Sequence, residues 1–170
     1  MASKPLIPLH VFRFKVDFFT DSLTGNGSHE QFQVCSGSFA ECTGLEATME
    51  PKVIKEGGRN YGPAQRAGAT TFATVVLKRG ISSNQNMYQI FNSISTGFYA
   101  PRMQVVINLF DINGSVVLAW RLDRAMPIKY KFSDLSARNA EIGIEELHLV
   151  HEGLWSDSPT TQVLPTGQKN

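Results

Sequence analysis

The sequence has few of the features that identify secreted, membrane-anchored or redox proteins. Its only cysteines are Cys35 and Cys42, and two cysteines cannot build a disulfide framework. It has no run of about 18 apolar residues, so we predict no membrane anchor. The N-terminus, MASKPLIPLH, has only a short apolar stretch that prolines interrupt, which is unlike a secretory signal. We therefore expect synthesis in the cytoplasm.

Charge is also scarce. The formal net charge is +1 and only 18% of the residues are charged, which gives no overall field for holding nucleic acid or an anionic membrane. The 42% hydrophobic content and the length of 170 residues suit one globular domain. We assign this domain to residues 1–154. Residues 155–170 are polar and contain Pro159 and Pro165, which indicates a flexible tail.

The residue types that carry chemistry do not form a recognisable site. His148 and His151 are three apart, and on a strand such residues point to opposite faces, so they do not converge on a metal. The cysteines have no CxxC spacing. The glycines at 25–27 and 57–58 lack the Gly-Lys-Ser/Thr ending of a phosphate-binding loop. We predict no enzyme activity, no metal and no cofactor.

Alternating apolar residues predict several strands. Residues 11–19 place Phe12, Phe14, Val16 and Phe18 toward a core, and Arg13, Lys15 and Asp17 on the opposite side. Strands at 103–110 and 116–122 flank Asn113-Gly114, a strong hairpin signal. Further strands are predicted at 125–132 and 141–151, with a bulge near Glu145-Glu146 because the apolar phase shifts there.

One helix is predicted, at residues 83–96. Ser82 and Gln85 have the spacing of a capping box, and Gly97 suits the C-terminal cap. The apolar residues that recur at helical spacing are Met87, Ile90, Phe91 and Ile94. With many strands and one helix, the predicted fold is mainly β (α+β), mostly antiparallel, with the one amphipathic helix packed on it.

Residues 45–66 are predicted to form a long extended arm. Pro51 cannot donate a ladder hydrogen bond and therefore suits an edge strand, and Gly57-Gly58 permits a tight reversal. The mixed charges are typical of a strand that must protect its edge or pair with another chain. From the residues alone, the arm either lies on its own domain or pairs with another molecule.

Three blocks of the sequence resemble the tail tube proteins of contractile bacteriophages, a family that also supplies the inner tube of phage-tail-like contractile injection systems. The blocks are RLDRAMPIKYKFSDLSARNAEIGIEELHLVHEGL (121–154), FAECTGLEATMEPKVIKEGGRN (39–60) and TVVLKRGISSNQNMYQIFNSI (74–94). The resemblance covers residues 11–154 in a fixed order.

The resemblance implies an antiparallel two-sheet sandwich or β-barrel with one flanking α-helix and a long extended arm. It also implies a structural subunit that forms hexameric rings stacked into a hollow tube. The implied partners are further copies of the chain, sheath and baseplate or hub proteins, and cargo (DNA or a protein effector) in the lumen. It also implies a component of a virion tail or an injection particle. Arg13, Lys15 and Asp17 would face lumen or solvent. The implied subunit contacts are Glu46, Met49, Glu50, Lys52, Ile54, Lys55, Glu56, Arg59, Asn60, Tyr61 and Arg66.

Two alternatives stay open. The stretch 20–38 and the tail look longer than in the commonest tube subunits, which fits a baseplate tube-initiator or adaptor ring of the same family. A monomeric ligand-binding β-domain that uses the Gly-rich loops is the alternative from a different class.

Overall fold

The computed structural model describes residues 10–20, 31–32, 39–55, 57–58, 60–83, 85–97, 102–135, 138 and 142–157. These residues contain twelve strands and one helix. In chain order the elements are β1 Phe14–Thr20, β2 Gln31–Phe32, β3 Glu41–Thr43, β4 Ala47–Met49, β5 Lys52–Ile54, β6 Ala64–Arg66, β7 Thr70–Phe72, β8 Val75–Gly80, α1 Asn86–Ser95, β9 Met103–Phe110, β10 Val116–Phe132, β11 Ile144–Val150 and β12 Gly153–Asp157.

Eight strands form the body of the molecule. The strand order is β2-β1-β9-β10-β11-β8-β3, β12 also pairs with β10, and every pair is antiparallel. We call β2, β1, β9, the first part of β10 and β12 the first half-sheet. Residues 126–132 of β10 with β11, β8 and β3 form the second half-sheet. The antiparallel two-layer fold is as predicted, but the described strands do not close into a barrel because the path ends at β2 and β3.

The two half-sheets share one hydrophobic core. Burial alternates along β8, β9 and β11, so every second side chain points inward. Each large apolar side chain that is fully buried contributes about 1.5–3 kcal/mol. The core residues are Val16, Phe18, Val105, Ile107 and Leu122 from the first half-sheet and Val75, Leu77, Leu147 and Leu149 from the second, with Met87 of α1.

Strand β10 runs through both half-sheets. The sequence predicted two strands, at 116–122 and 125–132, but the structure has one strand of 17 residues. Its register against β9 shifts between Leu122 and Ala125, and Arg124 there has a φ of 51°. The backbone N–H of Glu152 donates to the carbonyl of Asp123 at 3.0 Å, which keeps the strands joined across this bulge.

The bulge predicted near Glu145-Glu146 is wrong. The register of β11 against β8 is continuous from Ile144 to Leu149. The apolar phase shifts because Glu145 occupies an inward position, where its carboxylate binds the buried Arg79 guanidinium and accepts a hydrogen bond from Tyr130 Oη at 2.6 Å. The irregularity in the β10–β11 pair lies in β10, between Pro127 and Lys129.

Helix α1 starts later than the sequence predicted and is capped differently. It begins at Asn86 after Gln85, which makes no side-chain capping hydrogen bond, so Ser82 does not act as the predicted N-cap. Gly97 is not in the left-handed region in which glycine caps a helix. The last carbonyls instead accept hydrogen bonds from hydroxyls; Thr96 Oγ1 donates to Asn92 at 2.7 Å.

The chain ends of the body also differ from prediction. Strand β1 starts at Phe14, so Phe12 is 63% exposed and does not join the core. Strand β12 continues to Asp157, three residues into the predicted tail, and residues 158–170 lie outside the described residues. The hairpin at Asn113-Gly114 is confirmed, with Gly114 at a φ of 80°.

Candidate assembly surface

The segment predicted as an arm is a two-stranded ribbon. Strand β4 pairs with β7 and β5 pairs with β6, and none of these four pairs with a strand of the body. The chain reverses between β5 and β6 through Gly57-Gly58, where Gly58 has a φ of 83°. The ribbon therefore leaves two unpaired outer edges along its described length.

A register shift divides the ribbon at Pro51. On the outgoing side two residues separate Met49 from Lys52, whereas on the returning side three separate Arg66 from Thr70. The extra residue makes a bulge opposite the proline. A Cβ atom on Gly68 would lie 1.9 Å from the carbonyl oxygen of Glu50, so only glycine allows the two backbones to approach this closely.

Large apolar side chains of the ribbon are in water. Met49 is 53% exposed, Val53 55% and Tyr61 98%, and Ile54 is also exposed. Both faces of β4 and of β5 are open, because every residue of these strands is exposed. A hydrophobic surface on a projecting element marks an interaction site. Val53 is not among the predicted contact residues, although its position between Lys52 and Ile54 in an edge strand could have indicated it.

The polar residues predicted at subunit contacts are exposed as well. They include both signs of charge, so the ribbon has no net field of one sign. Thr48 Oγ1 donates to Glu46 Oε1 at 3.3 Å, a contact within the ribbon. Glu56 and Arg59 lie outside the described residues. The described predicted contact residues, all exposed, are Glu46, Met49, Glu50, Lys52, Ile54, Lys55, Asn60, Tyr61 and Arg66.

The base of the ribbon is joined to the body at two places. The ring of Phe72 in β7 packs against the ring of His151 at 5.2 Å between centroids, and His151 Nδ1 is 2.9 Å from the Gly153 carbonyl oxygen. Gly44, with a φ of 85°, joins β3 to β4, and Thr74 joins β7 to β8; a Cβ on Gly44 would lie 2.1 Å from the Thr74 carbonyl oxygen, so these two connections between ribbon and body approach closely. These contacts fix where the ribbon leaves the body.

The polar side of β1 is only partly as predicted. Arg13 is exposed and Lys15 is half-buried, but Asp17 is 7% exposed and so does not face open solvent. Lys15 Nζ lies 2.8 Å from Asp17 Oδ1, and Asn108 Nδ2 donates to Asp17 Oδ2 at 3.4 Å. The neighbouring strand β9 supplies the covering side chains, which a pattern within β1 alone does not reveal.

Within the described residues, no group of three or more histidine, cysteine or acidic side chains is placed to hold a metal ion. His148 Nε2 lies 3.4 Å from Glu146 Oε2 on the outer face of β11. Burial raises the pKa of the Cys42 thiol to about 11, so this thiol is a poor nucleophile. No helix in the described part of the chain is long and apolar enough to cross a membrane.

The fold is similar to that of proteins in contractile injection particles. One is in the baseplate of the anti-feeding prophage (AFP), with 22% identity, covering 94% of this chain and 100% of that chain, and a TM-score of 0.73. Another is in the sheath-tube complex of the extracellular contractile injection system PVC in its extended state, with 18% identity, 89% and 92% coverage and a TM-score of 0.70. A third is in the AFP tube terminating cap, with 19% identity, 93% and 96% coverage and a TM-score of 0.72.

No match was found among curated proteins. The T4-like virus tail tube protein gp19 family matches residues 10–155, which is most of the chain. The match includes the body and the ribbon, and it agrees with the resemblance drawn from the three sequence blocks. Tail tube proteins are structural components, which agrees with the expectation that this chain is not an enzyme. The chain belongs to the T4-like virus tail tube protein family.

Proposed function

We propose that the chain is a subunit of the inner tube of a contractile phage tail or contractile injection system. Six copies form a ring, and the rings stack into a hollow tube that carries DNA or a protein effector through a target envelope. The observation that carries this proposal is the ribbon, which exposes Met49, Val53, Ile54 and Tyr61 to water. Membership of the tail tube family and a fold like that of a protein in the 6-fold symmetrised AFP baseplate support it.

The ribbon is the element that joins subunits. Burying its apolar side chains against another copy stabilises the assembly by about 25 cal/mol for each Å² removed from water. A head-to-tail contact of this kind closes into a ring when the rotation fits, and a second contact stacks the rings. Arg13 and Lys15 face solvent or the lumen in this arrangement.

The assembled tube requires further partners. A sheath surrounds it and drives it on contraction, and a baseplate or hub protein starts it. A relative of similar fold occurs in a PVC sheath-tube complex, which supports the sheath as a partner. The subunit is made in the cytoplasm and becomes part of a virion tail or an injection particle.

A tube-initiator or adaptor ring at the baseplate is the second candidate. The observation that favours it is the similar fold of a protein in the AFP baseplate. The alignment includes all of that protein, with 22% identity. Electron microscopy of the purified protein separates the two functions: long tubes indicate the main tube subunit and single rings indicate the initiator. A monomeric ligand-binding domain would form neither tubes nor rings.

Deleting residues 51–60 tests the proposal. The deletion removes β5 and the turn but no residue of the hydrophobic core. We expect a folded protein with an unchanged thermal midpoint that stays monomeric in sedimentation velocity and shows no rings in micrographs.

The matched control is Lys55→Glu, which changes only one exposed charge of the same segment and is expected to have little effect, because exposed ion pairs contribute about 0–1 kcal/mol. If the deletion variant formed normal rings or tubes, the ribbon would not be part of the assembly contact. An intact protein that stays monomeric at all concentrations would contradict the proposed function as a whole.

A further inference from the structure

A buried charged pair lies between two neighbouring strands of the second half-sheet. Among the described residues of β8 and β11, Arg79 and Glu145 are the only charged side chains that are buried. Glu145 binds the Arg79 guanidinium through Oε1 and accepts the hydrogen bond of Tyr130 Oη through Oε2. Because both carboxylate oxygens have a partner, the network holds the pair in one arrangement.

The alternation of inward and outward residues in these strands leaves one kind of register error open. A one-residue slip of β8 against β11 turns the inward side chains outward, so the alternation itself excludes that slip. A two-residue slip keeps every side chain on its own face of the sheet. Apart from the charged pair, the inward positions hold aliphatic side chains that are too similar to distinguish such registers. The inward residues are Val75, Leu77 and Arg79 in β8 and Glu145, Leu147 and Leu149 in β11.

The charged pair does distinguish registers that differ by two residues. In the observed register, Arg79 lies directly opposite Glu145. A two-residue slip in one direction places Arg79 opposite Leu147, and a slip in the other direction places Glu145 opposite Leu77. Each slip separates the two charges, and breaking a buried ion pair is strongly destabilising. One buried polar position fixes the register of a coiled coil in the same way.

The register of β8 also determines where the ribbon leaves the body. The two residues Ala73-Thr74 join β8 to β7 at the base of the ribbon, and residues 81–85 join β8 to α1. A two-residue slip of β8 against β11 moves the base of the ribbon by about 7 Å along β11. The ring of Phe72 in β7 would then lose its contact with the ring of His151, which follows β11.

We propose that the Arg79–Glu145 pair, held by Tyr130, selects one register of β8 against β11 and thereby fixes the position of the ribbon on the body. Replacing both charged residues with leucine removes the selection. Leucine then lies opposite leucine in the observed register and also after the slip that brings Leu147 opposite position 79. We expect Arg79→Leu/Glu145→Leu to be a folded mixture of registers. The inference concerns a single chain and goes beyond the proposed function.

Disulfide cross-linking in a Cys35→Ser/Cys42→Ser background measures the register. Val76→Cys/His148→Cys reports the observed register, in which these two positions lie opposite each other. Lys78→Cys/His148→Cys reports the slipped register, because the two positions are diagonal neighbours in the observed one. Diagonal Cα atoms lie about 7–8 Å apart, which is too far for a disulfide.

We expect the protein with the charged pair to form only the disulfide of the observed register. In Arg79→Leu/Glu145→Leu, the yield of the slipped disulfide should rise at least about tenfold, because the pair no longer selects against that register. Mass spectrometry of the digested protein measures both yields.

Two further variants separate register selection from general damage to the core. Leu147→Met is the matched control, because it makes a volume-conserving apolar change in β11 and keeps the charged pair, so only the observed register should cross-link. Arg79→Met/Glu145→Met is a second apolar variant, whose flexible side chains can adapt to the space of the pair. It should form the slipped disulfide as Arg79→Leu/Glu145→Leu does.

Three results would overturn the selection of register by the charged pair. The first is that both apolar variants unfold cooperatively in urea and form only the disulfide of the observed register. The second is that Leu147→Met forms the slipped disulfide as readily as they do. The third is that neither apolar variant folds, since the pair would then be required for folding itself.

Assembly tests the effect of the register on the ribbon, and this part of the inference rests on the proposed function. We expect Arg79→Leu/Glu145→Leu to form fewer rings in sedimentation velocity, and the Val76→Cys/His148→Cys disulfide to restore them. The reference is the same disulfide in a protein that keeps the charged pair. If the reference assembles and the locked variant does not, the link from register to ribbon is overturned. If the unaltered protein never assembles, the proposed function is wrong and the cross-linking result still stands.

Discussion

The body and the ribbon are held together in different ways. In the body, two half-sheets and α1 bury a continuous core that includes Phe18, Leu77 and Met87. In the ribbon, β4, β5, β6 and β7 pair by backbone hydrogen bonds, and Met49 and Val53 stay exposed. An isolated two-stranded hairpin is marginally stable in water. The body therefore has its own hydrophobic core, whereas the ribbon leaves most of its apolar side chains exposed in the described chain.

This difference explains where polar groups are placed. The body keeps one charged pair inside, Arg79 with Glu145, and the pair is held further by Tyr130. A one-residue slip of β11 would turn Glu145 outward and leave Arg79 without its carboxylate. The ribbon places its charges in water, and charges on a free strand edge oppose nonspecific pairing with other strands.

The largest expected difference in stability is between removing a buried charge of the body and removing an exposed charge of the ribbon. Glu145→Leu leaves the buried Arg79 without its carboxylate, and we expect the free energy of unfolding to fall by about 3–5 kcal/mol. Glu50→Leu, in the ribbon, should change it by less than about 0.5 kcal/mol. Urea unfolding measures both.

The double variant Arg79→Leu/Glu145→Leu should recover a large part of the loss, because neither charge of this pair is then buried without the other. If Glu145→Leu and Glu50→Leu lowered the free energy of unfolding equally, the charged pair would not stabilise the body.

The same substitution at two glycines gives the next largest contrast. A Cβ on Gly44 would lie 2.1 Å from the Thr74 carbonyl oxygen at a φ of 85°, so Gly44→Ala should lower the free energy of unfolding by about 2 kcal/mol or more. A Cβ on Gly68 would lie 1.9 Å from the Glu50 carbonyl oxygen, but only inside the ribbon. We expect Gly68→Ala to leave the thermal midpoint unchanged and to weaken assembly, measured by sedimentation. A lowered thermal midpoint for Gly68→Ala would mean that the ribbon contributes to folding of the body.

The smallest effect concerns thiol reactivity. Burial raises the pKa of Cys42 from 9.0 to about 11, so at pH 8 iodoacetamide should react roughly a hundredfold more slowly than with an exposed cysteine. The Cys35→Ser variant keeps only the body thiol, Cys42. The Cys35→Ser/Cys42→Ser/Val53→Cys variant has only a thiol in the ribbon. Mass spectrometry measures the rate of reaction of each variant. Equal rates for the two thiols would contradict the burial of Cys42.

The same pKa shift links stability to pH. The folded state favours the neutral thiol. The contribution of Cys42 to the free energy of unfolding is therefore complete below pH 9 and is lost as the pH rises through about 11. Cys42→Ser should remove this dependence in urea unfolding measured at several pH values.

Local patterns in the sequence predicted the elements but not the contacts between distant ones. The strand at β1, the Asn113-Gly114 turn and the helix α1 were predicted from neighbouring residues, and the structure contains all three elements. The burial of Asp17 and Glu145 depends on residues 91 and 66 positions away along the chain. A pattern within one strand carries no information about such partners. The edge-strand character of residues 45–66 followed from Pro51 and the mixed charges, but no local pattern determines whether another chain pairs with those edges.

Strand β10 also determines how the subunit responds to force. Because one continuous backbone crosses from the first half-sheet to the second, the two layers cannot slide past each other without bending that strand and its neighbours β11 and β12. A load applied along the strand is therefore carried by covalent bonds before it reaches the hydrogen-bond ladder. The body should move as a stiff block, whereas the four ribbon strands pair with no strand of the body and are not held by the same ladder.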